Sequence, residues 1–246
     1  MRVYRMAERN IGVESLYERV HRRCAKYRTE GEPDFIVATV PEDIEREQRA
    51  SPREDRLKGG TTRSGNEEAY LEELAVYRKI AERMPAYDTF LFHGSAVAVD
   101  GRGYLFTANS GTGKSTHARL WQALLGDRFI YVNDDKPLIR ITPDAAVVYG
   151  TPYDGKHHRS TDTAAPLEAI CFLRQGKQNV IRRISAREAF PLLMQQAYRP
   201  QDRLAVQQTV TLLQKLTERV RLYELSCNMD PDAARVSFEG MGGVLS

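Results

Sequence analysis

The sequence predicts an α/β fold, a mixed sheet with flanking helices, and three observations carry the prediction. Strand-like and helix-like segments alternate along most of the 246 residues. A β-favouring run, Tyr104-Leu105-Phe106-Thr107, enters a glycine-containing loop that passes directly into helical sequence from Thr116 to Leu125. Just upstream, Thr89 to Val99 alternates and meets Asp100-Gly101, a hairpin signal that pairs it with the Tyr104 strand.

The remaining elements follow in chain order. Ile11-Gly12-Val13 reads as the end of a strand, and Tyr17 to Tyr27 places Val20, Cys24 and Tyr27 at helical spacing. Asp34 to Val40 reads as a buried strand, and Pro41-Glu42-Asp43 suits the first turn of a helix, where proline costs little and acids favour the dipole. Glu45 to Arg63 mixes charges with Ser-Pro, Gly-Gly and Thr-Thr pairs, so residues 45–65 are expected to form a mobile charged loop, either a solvated linker or a flap. A helix is predicted from Asn66 to Met84, with Leu71, Leu74, Tyr77 and Ile80 on its apolar face and Pro85 ending it.

After a strand at Phe129 to Val132, the later chain supplies strands at Leu167–Leu173, Val180–Ile184 and Val220–Cys227. Helices are expected after the Ser185/Glu188 capping box, over Asp202–Glu218, and from Asp230-Pro231 to Gly242-Gly243. The whole reads as one domain over 1–246: an N-terminal α/β segment (1–44), the charged loop (45–65), and a core with its framework (66–246).

Composition narrows the function classes. The chain is 41% hydrophobic and 28% charged, with a net charge of +3, so no strong overall field points to nucleic acid or a membrane as partner. Three widely spaced cysteines, Cys24, Cys171 and Cys227, suit reduced thiols better than a disulfide framework. The first residues contain no apolar core of signal-peptide length, and no stretch is long enough to span a bilayer. The expected location is the cytoplasm.

The chemistry concentrates between Gly103 and Asp135. Ala108-Asn109-Ser110-Gly111-Thr112-Gly113-Lys114-Ser115 has the spacing of a phosphate-binding loop, with Ala108 where glycine is usual. Its glycines let backbone N–H groups turn toward phosphate oxygens, Lys114 can reach β- and γ-phosphates, and the Ser115 hydroxyl can hold Mg²⁺. The next strand ends in Asn133-Asp134-Asp135. In a right-handed crossover this strand lies parallel to and beside the loop strand, bringing both carboxylates to the phosphates, where they can ligate Mg²⁺ or take a proton from an attacking hydroxyl. Tyr149 to Arg159 mixes turn residues with Lys156, His157, His158 and Arg159, a composition that suits an anionic ligand or second substrate but also a solvent-facing turn. On spacing alone His93 is a satisfied core histidine of the neighbouring strand.

His93-Gly94, Ser110 to Ser115 and Asp134-Asp135 together resemble the catalytic domain of HPr kinase/phosphorylase, whose phosphate loop is related to that of phosphoenolpyruvate carboxykinase. The resemblance covers about a fifth of the chain closely. It implies the P-loop kinase core of that superfamily and an ATP- and Mg²⁺-dependent phosphotransferase with an alcohol group as acceptor. Ser110, Gly111, Thr112, Gly113, Lys114, Ser115 and Thr116 would bind the nucleotide, and Ser115 and Asp135 the metal. Asp134 would be the general base, His93 its partner, and Lys114 and Lys156 would act on the transferring group. The bifunctional enzymes carry a separate N-terminal domain and a Glu-Arg-Gly signature after the acid pair, whereas this chain has Tyr149-Gly150-Thr151-Pro152-Tyr153-Asp154-Gly155-Lys156. That departure is similar to the stand-alone HPr kinase-like enzymes, some of which phosphorylate serine in a precursor peptide or a free small molecule. The acceptor implied is a peptide, protein or small-molecule hydroxyl. A nucleotide sensor that binds ATP to recruit a partner is the competing expectation.

Overall fold

The computed structural model describes residues 1–50 and 64–245, with backbone alone at 64–66 and 156. The chain divides into two compact units, Met1–Arg83 and Met84–Ser246.

In the first unit, strands β1 (Arg2–Met6) and β2 (Arg9–Glu14) form an antiparallel hairpin, and β3 (Phe35–Ala38) joins β2 in parallel. The hairpin turns through Ala7 and Glu8, both at positive φ. Helix α1 (Glu18–Arg23) lies between β2 and β3, and α2 (Pro41–Ala50) and α3 (Ser64–Arg83) follow. Helix α2 runs through to Ala50, so residues 45–50 are helical where a mobile loop is expected from composition; residues 51–63 of that loop lie outside the described residues. The reason is long-range charge pairing. Asp43 meets Lys79 at 2.7 Å and Glu47 meets Arg78 at 2.7 Å, so carboxylates that look solvated in a local window are neutralised by α3. The fully buried Glu72 accepts from the amides of Leu16 and Tyr17 at 2.6 and 2.8 Å, tying α3 to the segment before α1.

The second unit is built on a mixed sheet of nine strands: β4 (Thr89–Leu91), β5 (Ser95–Val99), β6 (Arg102–Thr107), β7 (Phe129–Asn133), β8 (Leu138–Ile141), β9 (Ala146–Tyr149), β10 (Ala164–Gln175), β11 (Val180–Arg183) and β12 (Arg221–Cys227). Its main path runs β4-β8-β9-β10-β6-β5-β7, with β12 paired to β10 and β11 to β12. The pairs β10–β6 and β10–β12 are parallel and the others antiparallel. Helices α4 (Lys114–Leu125) and α7 (Asp232–Gly240) serve one hydrophobic cluster, where Trp121 and Phe238 pack with Tyr104 and Phe106. Helices α5 (Ala186–Gln196) and α6 (Arg203–Arg219) serve another, where Leu193, Leu212, Leu213 and Leu216 pack with Leu105, Ile170 and Phe172. Among the described residues no helix is long and apolar enough to cross a membrane.

Two expectations about the centre of this sheet are corrected. The alternating run 89–99 is two strands, because the donors of its middle residues turn away from the ladder: Phe92 N–H to Pro137 O, His93 N–H to Gln196 O and Gly94 N–H to Asp135 O. Strand β7 also does not lie beside β6. Strand β5 sits between them, antiparallel to both, because the Asp100-Gly101 turn, with φ of +50 and +78, folds β5 back onto β6 first. The strands β6 and β7 are still parallel, and the start of β5 lies between their C-terminal ends.

Under helix α4, Ser237 Oγ serves four partners. It accepts from Trp121 Nε1 at 2.8 Å, meets His117 Nε2 at 2.9 Å, and lies 2.9 and 3.0 Å from the carbonyls of Ala233 and Ala234. Burial lowers the His117 pKa to about 4, so a neutral imidazole is held here. Ser237→Ala leaves the indole N–H and the imidazole Nε2 without their partner and is expected to cost about 2–4 kcal/mol, lowering the melting temperature by on the order of 5–10 °C. Calorimetric scanning checks this, and an unchanged midpoint would show that neither ring depends on the serine.

Candidate active site

Strand β6 ends at Thr107 and the chain turns through Ala108–Gly113 into α4. Gly111 and Gly113 have φ of +81 and +116, and a Cβ at either would meet nothing within 4 Å. Backbone conformation, not crowding, demands glycine there. The first turn of α4 has no acidic residue, and its N-cap, Gly113, offers no side chain to the free amides. Such a turn presents unpaired N–H groups and the positive end of the helix dipole to an anion. Ser110 and Thr112 sit in the loop, and Ser115 and Thr116 in the first turn.

Lys114 folds back over this loop. Its ammonium donates to Ala108 O at 2.9 Å and Asn109 O at 3.4 Å and is 9% exposed. Burial lowers its pKa, while Asp135 and Asp134 act in the opposite direction. Both carboxylates are therefore electrostatic neighbours of the lysine.

The acid pair leaves β7 on a rigid frame. Asn133 Oδ1 accepts from the amides of Asp135 and Lys136 at 2.9 and 2.6 Å, and its Nδ2 donates to Thr151. The Asp134 amide donates to Arg159 O at 3.0 Å. From that frame the two side chains diverge, as adjacent residues at a strand end must. Asp134 is 6% exposed and accepts from Ser95 Oγ at 2.7 Å, with the Ser115 hydroxyl as a second favourable neighbour of its charge. Burial raises its pKa, opposed by those two hydroxyls and, at longer range, by Arg159 and His157. Asp135 is more open, at 28% side-chain exposure, and faces His93 Nε2 at 3.7 Å and Lys136 Nζ at 3.5 Å.

His93 is held from its far side. Its Nδ1 is 3.0 Å from Gln196 Oε1, its carbonyl accepts from Thr107 Oγ1 at 2.9 Å, and its pKa is lowered by burial and then by Lys114. Gly94 makes this crossing possible, since a Cβ there would come within 2.9 Å of both Leu105 Cδ2 and Phe106 O. His93 thus faces Asp135 rather than Asp134.

The loop after β9 closes the other side. Gly155, at φ +69, lies so near Asp135 that an added Cβ would be 3.1 Å from the aspartate Cβ. The Arg159 guanidinium lies over the Tyr131 ring, 5.2 Å from its centre, and donates to the phenol oxygen at 3.1 Å. Lys156 belongs to the short 3-10 turn Gly155–His157, and its side chain lies outside the described residues. Ser95 and Gln196 are residues that sequence reasoning did not single out, whereas Arg159 was read there as the end of a cationic loop suited to an anionic ligand. Of the first two only Ser95 carried a local signal, as the residue directly after His93-Gly94 at the start of a strand.

A buried carboxylate among hydroxyls, whose charge burial disfavours, suits a hard cation with oxygen ligands. The described residues contain no cluster of three or more His, Cys, Asp or Glu groups placed to hold a metal; a Mg²⁺ site that completes its shell with substrate oxygens and water does not require one.

A family model described as SynChlorMet cassette protein ScmC matches residues 63–232. No curated protein sequence matches the chain. The solved structure of the Hpr(Ser) kinase/phosphatase from Coxiella burnetii is similar over 62% of this chain and 99% of its own, at 11% identity and a TM-score of 0.33, a likeness too distant to bear on the chemistry.

Proposed function

We propose that this chain, which belongs to the SynChlorMet cassette protein ScmC family, is an ATP-dependent phosphotransferase that moves the γ-phosphoryl group to a hydroxyl. The observation that carries this reading is the convergence of Lys114, Asp134 and Asp135 at the mouth of a left-handed glycine loop that opens into a helix N-terminus. Phosphoryl transfer needs little beyond positioned phosphates, neutralised charge and a group that accepts the hydroxyl proton.

The geometry supports a specific division of labour. Loop amides from Ser110 to Thr116 would hold the phosphate oxygens, with the Lys114 ammonium on the β- and γ-phosphates. Ser115 and Asp134 would hold Mg²⁺, which supplies charge neutralisation on the phosphate oxygens. Asp135, the more open acid, would take the acceptor's proton as the acceptor oxygen bonds to phosphorus and the bond from phosphorus to the β-phosphate oxygen breaks, its electron pair leaving with ADP. His93 would orient Asp135, and Arg159 would offset negative charge beside Asp134. This reverses the roles that the resemblance implies for the two aspartates, because the side chains have the opposite neighbours.

Incubation of the full chain with γ-labelled ATP, Mg²⁺ and fractionated cell extract tests the function. Label in a peptide, protein or small metabolite is the expected result. Label in inorganic phosphate alone would favour the sensor.

A further inference from the structure

Gln196 ends helix α5 and touches His93 twice. Its carbonyl, left free at the helix end, accepts the His93 amide at 2.9 Å, and its side-chain Oε1 lies 3.0 Å from His93 Nδ1. Resting on the phosphotransferase reading, we propose that Gln196 is a positioning residue. It holds His93 as the Nδ1–H tautomer and turns the Nε2 lone pair toward Asp135, to receive the proton that Asp135 takes from the acceptor.

Hydrogen-bond chemistry sets the tautomer. A carbonyl oxygen only accepts, so the ring nitrogen facing Gln196 Oε1 must carry the hydrogen. In a neutral imidazole the other nitrogen then holds a lone pair. That nitrogen faces Asp135 Oδ1 at 3.7 Å, beyond hydrogen-bond range, which is the spacing expected where no proton lies between a lone pair and a carboxylate. In water the Nε2–H tautomer predominates, so the glutamine selects the less common form. The backbone aims the ring from both sides, because the His93 amide is tied to Gln196 O and its carbonyl accepts from Thr107 Oγ1 at 2.9 Å.

To receive a proton the ring must start neutral, and its surroundings favour that. Burial, and next the Lys114 ammonium, lower the His93 pKa against the opposing pull of Asp135 and of the Gln196 contact. Glutamine carries no charge, so it orients the ring without holding an imidazolium in advance, as a carboxylate at Nδ1 would. When the acceptor oxygen bonds to phosphorus, its proton passes to Asp135 and from there to His93 Nε2. The carboxylate is restored, the imidazolium keeps its Nδ1–H on Gln196, and the electron pair of the broken phosphorus–oxygen bond leaves with ADP.

The test reads tautomer and turnover separately. In the full chain with ¹⁵N-labelled histidine, free of nucleotide at neutral pH, two-bond ¹H–¹⁵N correlations separate the tautomers, and the His93 signals are those missing from His93→Ala. Wild type should show Nδ1 protonated. Gln196→Met, similar in shape but without the acceptor, should show Nε2 protonated, and Gln196→Glu should return the proton to Nδ1. With γ-labelled ATP, Mg²⁺ and fractionated cell extract, Gln196→Met should lower the maximal rate of label transfer by about 10- to 100-fold, while half-saturating MgATP stays within about threefold of wild type. Nε2 protonated in wild type, Nδ1 still protonated in Gln196→Met, or an unchanged rate in that variant would each overturn the proposal. So would a matching loss of MgATP affinity, the mark of a site that has merely collapsed. The tautomer is read without nucleotide, so a wild type with the expected ring that transfers no label would instead sink the phosphotransferase reading.

Discussion

Asp135→Asn is expected to lower kcat by about 10²–10⁴ while leaving MgATP affinity within about threefold of wild type. The asymmetry follows from its neighbours. Asp135 faces His93 and Lys136 and is open enough for an acceptor to approach. Asparagine keeps the shape and loses the proton-accepting charge, so the defect should fall on the step in which the acceptor's proton is lost and not on nucleotide binding. His93→Ala should show a weaker form of the same pattern, since it removes the group that faces the carboxylate and keeps the carboxylate itself. Steady-state transfer together with nucleotide titration checks both variants. A large loss of MgATP affinity in Asp135→Asn would contradict its placement at the acceptor.

Asp134→Asn is expected to do the opposite. Its carboxylate is buried between the hydroxyls of Ser95 and Ser115, and burial already disfavours its charge. The fold should therefore tolerate the neutral amide, whereas a cation held there would lose its one fixed charge. Mg²⁺-dependent ATP binding should fall by at least about 30-fold, equivalent to roughly 2 kcal/mol, and the remaining affinity should become nearly insensitive to Mg²⁺. Turnover falls with it. Titrations of ATP with and without Mg²⁺ give the result, and wild-type Mg²⁺ dependence in the variant would remove Asp134 from the metal site.

How much of this was legible in the sequence depended on distance along the chain. The Asp100-Gly101 turn and the Ser185/Glu188 capping box are local signals, and each forms the expected geometry; the passage from strand through Ala108–Gly113 into helix is local as well. Sheet order was not local. That β5 separates β6 from β7 depends on which partner the hairpin folds onto, and a window over any one strand carries no such information. The extent of α2 was hidden in the same way, because Asp43 and Glu47 look like solvated charges until Lys79 and Arg78 are placed against them. The hairpin of β8 and β9 is short, with Pro137 just before it and Pro143 in its turn, and sequence reasoning named no strand there.

The candidate site divides along the same line. Its residue types were readable, since lysine, serine and paired aspartates at that spacing suit phosphate chemistry whatever the sheet order. Their pairing was not. Whether His93 meets Asp134 or Asp135 is decided by the turn that Asn133 holds and by the insertion of Ser95 between the two parallel strands. Gln196 lies 103 positions from the histidine it holds, beyond any spacing rule.

The most direct test of the central claim is the fate of the γ-phosphoryl group itself. Wild-type protein, Mg²⁺ and ATP carrying ¹⁸O at the three terminal γ-oxygens would be incubated with fractionated cell extract, and the products read by mass spectrometry. Phosphotransfer through this site predicts a phosphomonoester on a hydroxyl acceptor that carries all three labelled oxygens, in an amount equal to the ADP formed. Labelled inorganic phosphate with no labelled ester, or ATP left intact, would contradict it.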